Sequence, residues 1–381
     1  MRVVVFGSGL MGHTVARDLV KSKSVDEVTV CDVDRNRLQY LTRVERSSKL
    51  SVKVHDVRRK DETVRLMRNY DVGVGALPHA FSEYTILSTI RAGVDFVDLI
   101  FGWRFGRTGI DSAAKKKGIT IIPACGLAPG LSNILAMAGA EQLDVVEEVH
   151  IKVGGIPEKP KPPLNYRIVF SFEAVLEEYL RDARIIKHGR IIDVPALSGV
   201  EALSFPHSIG RCECFYTDGL STLIQTMRNV REMDEKTIRW PGHVDQLRTL
   251  IECGLLDTTP VEFNETSIVP RKFVSRLLSD KLMLGNDRDL TLLRIDVMGN
   301  KEKRQVHRRY EMIDHYDAKH RTTSMARTTA FPCSMAAQLL GSGRVATKGV
   351  CPPELAFKNE LRNDFLGYLK QRGLRITSGT I

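Results

Sequence analysis

The sequence lacks paired cysteines and any apolar run long enough to cross a membrane. Its seven cysteines are scattered and include no C-x-x-C pair, so we expect no disulfide framework or zinc site and predict no bound metal. Scattered thiols of this kind are typical of a reducing compartment. No apolar stretch approaches the roughly 20 residues of a membrane-spanning helix. Because the first strand-like run starts at residue 2, we expect no leader before it and predict a cytoplasmic protein without membrane contact.

Nucleic-acid recognition motifs are also missing, although the chain is basic. Lys plus Arg number 56 and Asp plus Glu number 46, which leaves a formal net charge of +10. The charges are scattered, and the densest cluster, KEKRQVHRR at 301–309, lies between two strand-like runs and indicates a hairpin tip. With no zinc finger, basic zipper or RNA-binding aromatic motif, we predict no nucleic-acid partner.

The first residues carry the pattern of a dinucleotide-binding domain. The β-branched run RVVVF at 2–6 is followed by GSGLMG, with Gly7, Gly9 and Gly12 in G-x-G-x-x-G spacing, and then by a helical pattern. The first glycine permits a tight turn, the second a close approach to pyrophosphate, and the third close packing of helix on strand. Free N–H groups at the helix start favour phosphate. The predicted loop contacts to the cofactor are Gly7, Ser8, Gly9, Leu10, Met11 and Gly12.

An acidic residue at the end of the second predicted strand indicates the cofactor. Asp32 ends the run EVTVCD, 20 residues after Gly12. A carboxylate there accepts from the adenine ribose hydroxyls and repels a 2′-phosphate, so we predict NAD, bound in part by Asp32 and Val33. Arg35 and Arg37 follow and leave tolerance of NADP open. The alternative is that Asp32 caps the next helix.

Strand and helix patterns continue to alternate up to residue 125. The remaining predicted strands are 50–56, 71–78, 94–99 and 120–124, and the helices between them lie near 34–45, 61–69, 81–92 and 108–117. Six strands joined by crossovers predict an α/β Rossmann fold, a doubly wound parallel sheet whose ligands bind at the carboxyl ends of the strands. Further cofactor contacts are predicted at those ends, from Asp56, Val57, Ala76, Leu77 and Pro78. Asp98 and Cys125 end later strands and are expected nearer the reactive group.

The rhythm then changes to strands with interspersed helices, which is typical of a mostly antiparallel α+β layer. We predict a Rossmann domain over 1–125, an inserted α+β domain for substrate and dimerisation over 126–330, and a C-terminal segment over 331–381 that packs back on the first domain. Strands are expected on both sides of the prolines at 157–163, the second of them in NYRIVFS. Helices are expected near 172–181, 219–228, 242–254, 270–279 and 323–340.

Two short stretches of the second domain carry groups suited to substrate binding. TDGLST at 217–222 is expected to open a helix with hydroxyls, a favourable start for a carboxylate. TIRWPGH brings Arg239 and His243 to a turn between strand and helix. Arginine binds carboxylates through two hydrogen bonds, and histidine can accept a proton near neutral pH. The alternative is structural: Arg239 pairs with an acid and His243 caps its helix.

Several motifs in order resemble one enzyme family. FGSGLMG, ACGLAPGLSNILA, VGGIPEKPKPPLNYRIVFS, TDGLSTL, KTIRWPGH and SMARTTAF followed by PPE are similar to the saccharopine dehydrogenase-like superfamily, and within it to the lysine 6-dehydrogenases. The resemblance extends over essentially all 381 residues. It implies NAD-dependent oxidative deamination of the side-chain amine of L-lysine, which yields the 6-semialdehyde, ammonia and NADH. It also implies a small-molecule amino-acid substrate and a homodimer or higher homo-oligomer.

For that reaction we expect Asp98 to hold the ammonium end of the substrate and His243 to accept a proton. Arg239 and the Thr222 turn are expected to bind the carboxylate, with Tyr166 as a further substrate contact. Cys125 and Gly126 would form the wall beside the nicotinamide, where small residues allow a close approach. These roles belong to the hypothesis that the resemblance suggests.

Departures from the family pattern keep alternatives open. Ala128 stands where saccharopine reductases and carboxynorspermidine-forming enzymes tend to carry an acid, and Arg104 and Arg107 make 100–109 unusually basic. A saccharopine-type or carboxynorspermidine-type secondary-amine dehydrogenase would use more arginines, for example Arg104, Arg107 and Arg211, for its additional carboxylates. A non-catalytic NAD-binding protein is the alternative outside enzymes.

Overall fold

The chain forms two compact units. The structure is a computed structural model that describes residues 1–100, 109–169, 172–206 and 208–381. The first unit comprises Met1–Leu143, Ser221–Arg228 and Ala326–Ile376, and the second comprises Asp144–Leu220, Asn229–Met325 and Thr377–Ile381. The predicted boundaries at residues 125 and 330 both fall inside the first unit, in which the helix 131–140 packs against the short helix 353–356.

The first unit contains a seven-stranded parallel sheet. Its strands are β1 (Arg2–Phe6), β2 (Glu27–Asp32), β3 (Leu50–Val54), β4 (Val72–Gly75), β5 (Asp95–Asp98), β6 (Thr120–Ile122) and β17 (Gly349–Val350). The spatial order is β17-β6-β5-β4-β1-β2-β3, which reverses direction beside β1 as in a doubly wound fold. The six predicted strands and the Rossmann class are confirmed. The seventh strand, which pairs in parallel with β6, was not predicted.

Helices accompany these strands. They are α1 (Leu10–Lys21), α2 (Arg35–Val44), α3 (Lys60–Met67), α4 (His79–Ala92), α5 (Ile110–Lys117), α6 (Leu131–Ala140), α8 (Leu223–Thr226), α11 (Ser324–Gly341, within this unit from Ala326), α12 (Pro353–Ala356) and α13 (Asn359–Gln371). One core cluster lies between the sheet and the helices and includes Phe6, Phe96 and Ile121. β1, β2, β4, β5 and β6 are largely buried, as expected of strands inside a parallel sheet, whereas the edge strand β3 is mostly exposed.

Among the described residues, the second unit contains a nine-stranded mixed sheet, a separate two-stranded sheet of β13 and β14, and three helices. Its strands are β7 (Val145–Pro157), β8 (Ala183–Lys187), β9 (Arg190–Val194), β10 (Glu201–Ser204), β11 (Arg211–Tyr216), β12 (Glu232–Arg239), β13 (Val261–Phe263), β14 (Thr266–Ile268), β15 (Asp289–Lys301), β16 (Arg304–His315) and β18 (Ile376–Thr380), and its helices are α7 (Phe172–Leu180), α9 (His243–Glu252) and α10 (Pro270–Leu282). The main path runs β10-β11-β12-β7-β15-β16-β18. β12 and β7 are parallel, whereas β15 is antiparallel to β7 and to β16.

Two local predictions were wrong, and one element was not predicted. Up to residue 169, NYRIVFS forms no strand and makes one isolated bridge, between Ile168 and Met283. Leu164 and Asn165 have positive φ values of 65° and 50°, so the chain is not extended where the strand was predicted to begin. The helix predicted over 219–228 is reduced to four residues, since Ser221 has a positive φ of 49°. The hairpin of β13 and β14 was not predicted.

One face of β12 buries polar side chains. Side chains two apart point to the same side of a strand, so Glu235, Thr237 and Arg239 share a face. Glu235 is 4% exposed, and its Oε2 has no hydrogen-bond partner among the described residues. Burial, with the nearby carboxylates of Glu178 and Asp218, raises the pKa of Glu235 to about 8. This carboxyl group therefore stays protonated in the folded chain at neutral pH.

We predict that Glu235→Gln stabilises the protein selectively at high pH. The folded-state pKa of Glu235 lies above the ordinary value of 4.5. The stability that the protonated Glu235 carboxyl group contributes to the folded chain is thus fully present below about pH 4.5 and is lost as the pH rises through about 8. The loss is on the order of 1 kcal/mol for each pH unit in that window. Urea unfolding from pH 5 to 9 should show a flatter pH profile for the variant. Glu262→Gln, at an exposed site, should follow the wild type, and a Glu235→Gln profile parallel to it would contradict the prediction.

Candidate functional site

The glycine loop after β1 is built by close backbone approaches. Gly7 has a φ of 103°, and a Cβ placed on it would lie 2.3 Å from the Ala76 carbonyl oxygen. A Cβ on Gly12 would lie 1.9 Å from the carbonyl oxygen of Gly7. Around Gly9 the nearest atom to such a Cβ is Nη1 of Arg37, at 4.0 Å. The loop is therefore closed at its first and third glycines and open at the second, where a pyrophosphate would approach.

Asp32 lies against this loop at the end of β2. Its Oδ2 accepts hydrogen bonds from the backbone N–H and the hydroxyl of Ser8 at 2.6 and 2.8 Å, and its Oδ1 accepts from the N–H of Asp34 at 2.9 Å. Asp34, not Asp32, caps α2 by accepting from Asn36 and Arg37. A carboxylate offers about four acceptor positions, so Asp32 retains capacity for ribose hydroxyls.

The other predicted cofactor contacts have different surroundings. Ala76 and Leu77 lie beside Gly7, and Pro78 after them is exposed. Val33 is 64% exposed, whereas Val57 is part of the hydrophobic core. Asp56 forms an ion pair with Arg58 at 2.7 Å, and hydrogen bonds from Arg58 lower its pKa to about 2. Leu10 and Met11 open α1 directly after the loop.

Asp98 and Cys125 are fully enclosed at the end of β5 and after β6. Asp98 is 2% exposed, and its carboxylate accepts from the hydroxyl of Ser82 at 3.0 Å and the N–H of Ile100 at 2.8 Å. The N–H of Cys125 donates to the carbonyl of Asp98 at 2.9 Å. Burial raises the pKa of the Cys125 thiol far above its usual value, so this thiol is neutral. Gly75 leaves room for the Asp98 carboxylate, because a Cβ there would lie 2.1 Å from Oδ2.

The turn at 125–130 explains why its residues are small. The N–H of Gly126 donates to the carbonyl of Pro129 at 3.0 Å, so the chain folds back on itself. Gly130 has a φ of 128°, and a Cβ on it would lie 2.4 Å from the backbone nitrogen of Gly126. Any side chain at Gly130 would open the turn.

A buried acid that received no role in the sequence analysis lies in the same unit. Glu354 is 0% exposed, accepts from the hydroxyl of Thr226 at 2.8 Å, and has a pKa raised by burial. Nδ2 of Asn133 donates to the hydroxyl of Thr222 at 3.1 Å. Thr222 is thus buried in the first unit, at the start of a helix of four residues. Glu354 belongs to the PPE motif, which was the one sequence signal for it.

In the second unit, Arg239, His243 and Tyr166 lie together, and Tyr179 joins them. We call these four residues the Arg239 cluster. The guanidinium of Arg239 lies 4.8 Å from the ring centre of Tyr166 and 5.5 Å from that of Tyr179. Its Nε donates to the hydroxyl of Tyr179 at 2.7 Å, and its Nη1 donates to the carbonyl of Ile238 at 2.9 Å. The distance from Nη2 to Oε1 of Glu178 is 4.0 Å.

His243 is held as a neutral imidazole. Nδ1 lies 2.6 Å from the carbonyl of Leu164 and must donate to it, while Nε2 lies 3.0 Å from the hydroxyl of Tyr179. Burial raises the pKa of Tyr179 well above its usual value, so its hydroxyl keeps the proton that it donates to Nε2. Burial and the charge of Arg239 lower the pKa of His243 to about 3. Both ring nitrogens are therefore engaged within the unit.

Tyr166 has the one hydroxyl of the Arg239 cluster that makes no hydrogen bond to the described residues. It is 1% exposed, and its Oη has no hydrogen-bond partner among the described residues. A buried polar group without a partner costs roughly 1–3 kcal/mol. Tyr179 was missed by the sequence analysis because nothing in FEAVLEEYL separates a helix-core tyrosine from a tyrosine bound to Arg239.

Other sequence-based candidates contribute less. Arg104 and Arg107 lie outside the described residues. Arg211 is exposed on β11. Among the described residues, no helix is long and apolar enough to cross a membrane, and no group of three His, Cys, Asp or Glu side chains could hold a metal ion.

Comparisons with known proteins identify both halves of the chain. The family described as Saccharopine dehydrogenase NADP binding domain matches residues 3–122, and Saccharopine dehydrogenase C-terminal domain matches residues 126–374. The first match agrees with the glycine loop and the parallel sheet. Residues 3–122 are therefore an NAD(P)-binding domain.

Relatives with curated names include saccharopine dehydrogenases and alpha-aminoadipic semialdehyde synthases. Saccharopine dehydrogenase (NADP(+), L-glutamate-forming) of Schizosaccharomyces pombe is 20% identical over 98% of both chains. The mitochondrial alpha-aminoadipic semialdehyde synthase of Bos taurus is 23% identical over 99% of this chain, which spans 47% of that synthase. Among solved structures, saccharopine dehydrogenase (L-Glu forming) of Saccharomyces cerevisiae matches with a TM-score of 0.82 and 18% identity, covering 100% of this chain and 99% of the other. The last likeness is one of fold.

We predict that alanine at the second and third glycines of the loop has different effects. A methyl group at Gly9 would meet little protein but would project into the open side of the loop. Gly9→Ala should change the free energy of unfolding by less than about 1 kcal/mol and weaken NADH binding at least about tenfold. Gly12→Ala should cost about 1–3 kcal/mol of stability through overpacking.

Thermal unfolding and NADH fluorescence titration separate the two effects. Gly367→Ala is the matched control, because a Cβ there meets nothing within 4 Å, and it should bind NADH normally. Normal NADH affinity in Gly9→Ala would show that the dinucleotide does not approach this glycine.

Proposed function

The chain belongs to the saccharopine dehydrogenase family, and we propose that it catalyses the NAD-dependent oxidative deamination of the side-chain amine of L-lysine. The family makes it an NAD(P)-dependent dehydrogenase of amines; the proposal narrows the substrate and the cofactor. The observation that carries it is the Arg239 cluster, which offers one guanidinium and one unbonded hydroxyl, from Tyr166. That pair matches the single carboxylate of lysine, whereas saccharopine carries three.

NAD is proposed as the cofactor because of Asp32. Its carboxylate is fixed beside the glycine loop by Ser8, where a 2′-phosphate would meet a like charge. Arg37, which could neutralise such a phosphate, pairs with Asp34 at 3.3 Å. The matched family domain and the fission yeast relative are both named for NADP. The choice between NAD and NADP is therefore tested below.

The proposed reaction needs few groups from the chain. The glycine loop and Asp32 would hold NAD, which supplies a hydride acceptor when bound. A hydride would leave C6 of lysine, and water would hydrolyse the resulting imine to the 6-semialdehyde and ammonia. The substrate amine must lose its proton before the hydride leaves. Arg239 and Tyr166 would bind the carboxylate, which fixes the side chain relative to the second unit.

The remaining roles are proposed unit by unit. In the first unit, Asp98 would hold the ammonium end, Cys125 and Gly126 would wall the nicotinamide, and Thr222 would support carboxylate binding. In the second, His243 is the proposed proton acceptor. Its imidazole is neutral but, with a pKa of about 3, only a weak base, and acceptance would require Nε2 to give up the Tyr179 hydroxyl. A homodimer is the proposed assembly.

A saccharopine-type secondary-amine dehydrogenase is the second candidate. The observation in its favour is the fission yeast saccharopine dehydrogenase, which matches over 98% of both chains. Its substrate would need cations beyond Arg239 for the additional carboxylates.

The proposal is tested by incubating the protein with NAD at alkaline pH and following NADH absorbance. Lysine and saccharopine are supplied in separate reactions, and ammonia is measured in each. NADH with an equal amount of ammonia from lysine is expected. NADH from saccharopine and none from lysine would favour the second candidate. No turnover with either substrate, while NAD binds, would contradict both.

We predict that Asp32→Asn raises the preference for NADP. Removing the charge while keeping the shape abolishes repulsion of a 2′-phosphate, so the ratio of kcat/KM for NADP to that for NAD should rise at least about tenfold, equivalent to about 1.4 kcal/mol. Asp193→Asn is the control, because it removes the charge of an exposed carboxylate on β9 of the second unit and should leave the ratio unchanged. An unchanged ratio in Asp32→Asn would remove Asp32 from cofactor selection.

We predict that Tyr166→Phe weakens lysine binding and leaves stability intact. The hydroxyl has no partner among the described residues, so its loss should not destabilise the fold. A lost hydrogen bond to a carboxylate should raise the KM for lysine about tenfold. The comparison substrate is 1,5-diaminopentane, which has the same reactive amine and no carboxylate, and its kcat/KM should not change. Equal losses with both compounds would place Tyr166 away from the carboxylate.

A further inference from the structure

A partly exposed carboxylate lies beside the Arg239 cluster, and the proposed function gives it no role. Glu178 is on α7, one residue before Tyr179, and its Oε1 lies 4.0 Å from Nη2 of Arg239. The side chain of Glu178 is 23% exposed, whereas that of Arg239 is almost fully buried. Glu178 is therefore the member of this charged pair that is more open to a molecule from solvent.

Both charged groups retain hydrogen-bonding capacity. Arg239 donates through Nε and Nη1 to Tyr179 and Ile238, and its Nη2 makes no hydrogen bond to the described residues. Oε1 of Glu178 accepts from the hydroxyl of Thr237, while Oε2 has no hydrogen-bond partner within the described part of the chain. A donor of the guanidinium and an acceptor of the neighbouring carboxylate are thus both left for a ligand.

The charges of this guanidinium and this carboxylate cancel each other. Two further acids in the region leave that balance unchanged, because Glu235 stays protonated at neutral pH and Asp218 forms ion pairs with Arg181 and Arg184 at 3.2 and 3.1 Å. A ligand with a carboxylate alone would place two anions beside one guanidinium. A ligand with a carboxylate and an ammonium group adds no net charge, so every charge then has a partner of opposite sign.

We propose that Glu178 binds the α-ammonium group of an α-amino acid whose carboxylate binds Arg239 and Tyr166. In an α-amino acid both charged groups are attached to one carbon atom, so it can meet the neighbouring guanidinium and carboxylate at once. The carboxylate would accept from Nη2 of Arg239 and the ammonium would donate to Oε2 of Glu178, in charge-assisted hydrogen bonds. This inference rests on the proposed function and deepens it, because it makes the chain select α-amino acids over simple amines and ω-amino acids.

Two analogues of lysine separate the two contacts. 6-Aminohexanoate keeps the reactive amine and the carboxylate but lacks the α-ammonium group, whereas 1,5-diaminopentane keeps both nitrogens and lacks the carboxylate. Glu178→Gln should lower kcat/KM for lysine and for 1,5-diaminopentane at least about tenfold. It should not lower kcat/KM for 6-aminohexanoate, which offers nothing to this carboxylate. Tyr166→Phe should show the complementary pattern, with losses for lysine and 6-aminohexanoate.

Calorimetric titration of the full chain with bound NADH, at neutral pH, tests the same contact without turnover. The wild type should bind L-lysine at least about tenfold more tightly than 6-aminohexanoate, and Glu178→Gln should remove the difference. Glu177→Gln is the matched control, because it removes the charge of an exposed neighbour on the same helix and should behave as the wild type. Glutamine at position 178 keeps an acceptor for Thr237, and thermal unfolding confirms that each variant is folded.

The two measurements distinguish failure of this inference from failure of the proposed function. Equal losses of affinity for lysine and 6-aminohexanoate in Glu178→Gln would show that Glu178 serves only as the counter-ion of Arg239, and would overturn the inference even if lysine is turned over. So would a wild type that binds the two compounds equally. The expected difference in binding without turnover of lysine would support the inference and contradict the proposed function. Binding of neither compound would overturn both.

Discussion

The packing of the second unit depends on the hydrogen bonds and ring contacts that surround the buried guanidinium of Arg239. Removing an arginine from water costs several kcal/mol unless its donors are satisfied, and Arg239 is 2% exposed. The hydroxyl of Tyr179 and the carbonyl of Ile238 accept two of its bonds, and two tyrosine rings cover its faces. The same Tyr179 hydroxyl donates to Nε2 of His243. Burial and the positive charge of Arg239 lower the pKa of His243, so this histidine stays neutral. The hydroxyl of Tyr166 lies beside this cation and has no hydrogen-bond partner among the described residues. This is the reason why we propose that the cluster binds an anionic group.

The two units use different kinds of groups. In the first, the proposed cofactor site is made of backbone: Gly7 and Gly12 are required because neighbouring carbonyls occupy the space of a side chain, and Gly9 faces outward. Asp32 adds the one charge, held in place by Ser8. In the second, recognition is proposed to rest on side chains. Substitutions at Arg239 or Tyr166 are therefore expected to leave the proposed dinucleotide site intact.

Features set by local chemistry could be predicted from the sequence, and features set by distant contacts could not. The glycine spacing and Asp32 lie within one strand–helix–strand unit, so the pattern was sufficient for the loop and the first six strands. The strand at Gly349 was missed because its partner, Thr120, is more than 200 residues away. Tyr179 and Glu354 were missed because their roles arise from burial beside residues of other segments. Strands of three residues, as in β13, are too short for alternation to reveal.

The central claim is that hydride leaves the side-chain carbon of lysine that bears the amine. Lysine labelled with deuterium at C6 tests it directly, with NADH analysed by mass spectrometry or NMR. The account predicts deuterium at C4 of the nicotinamide ring and slower turnover than with unlabelled lysine. Deuterium transferred from lysine labelled at C2 instead, with none from C6, would show deamination at the α-carbon and contradict the account.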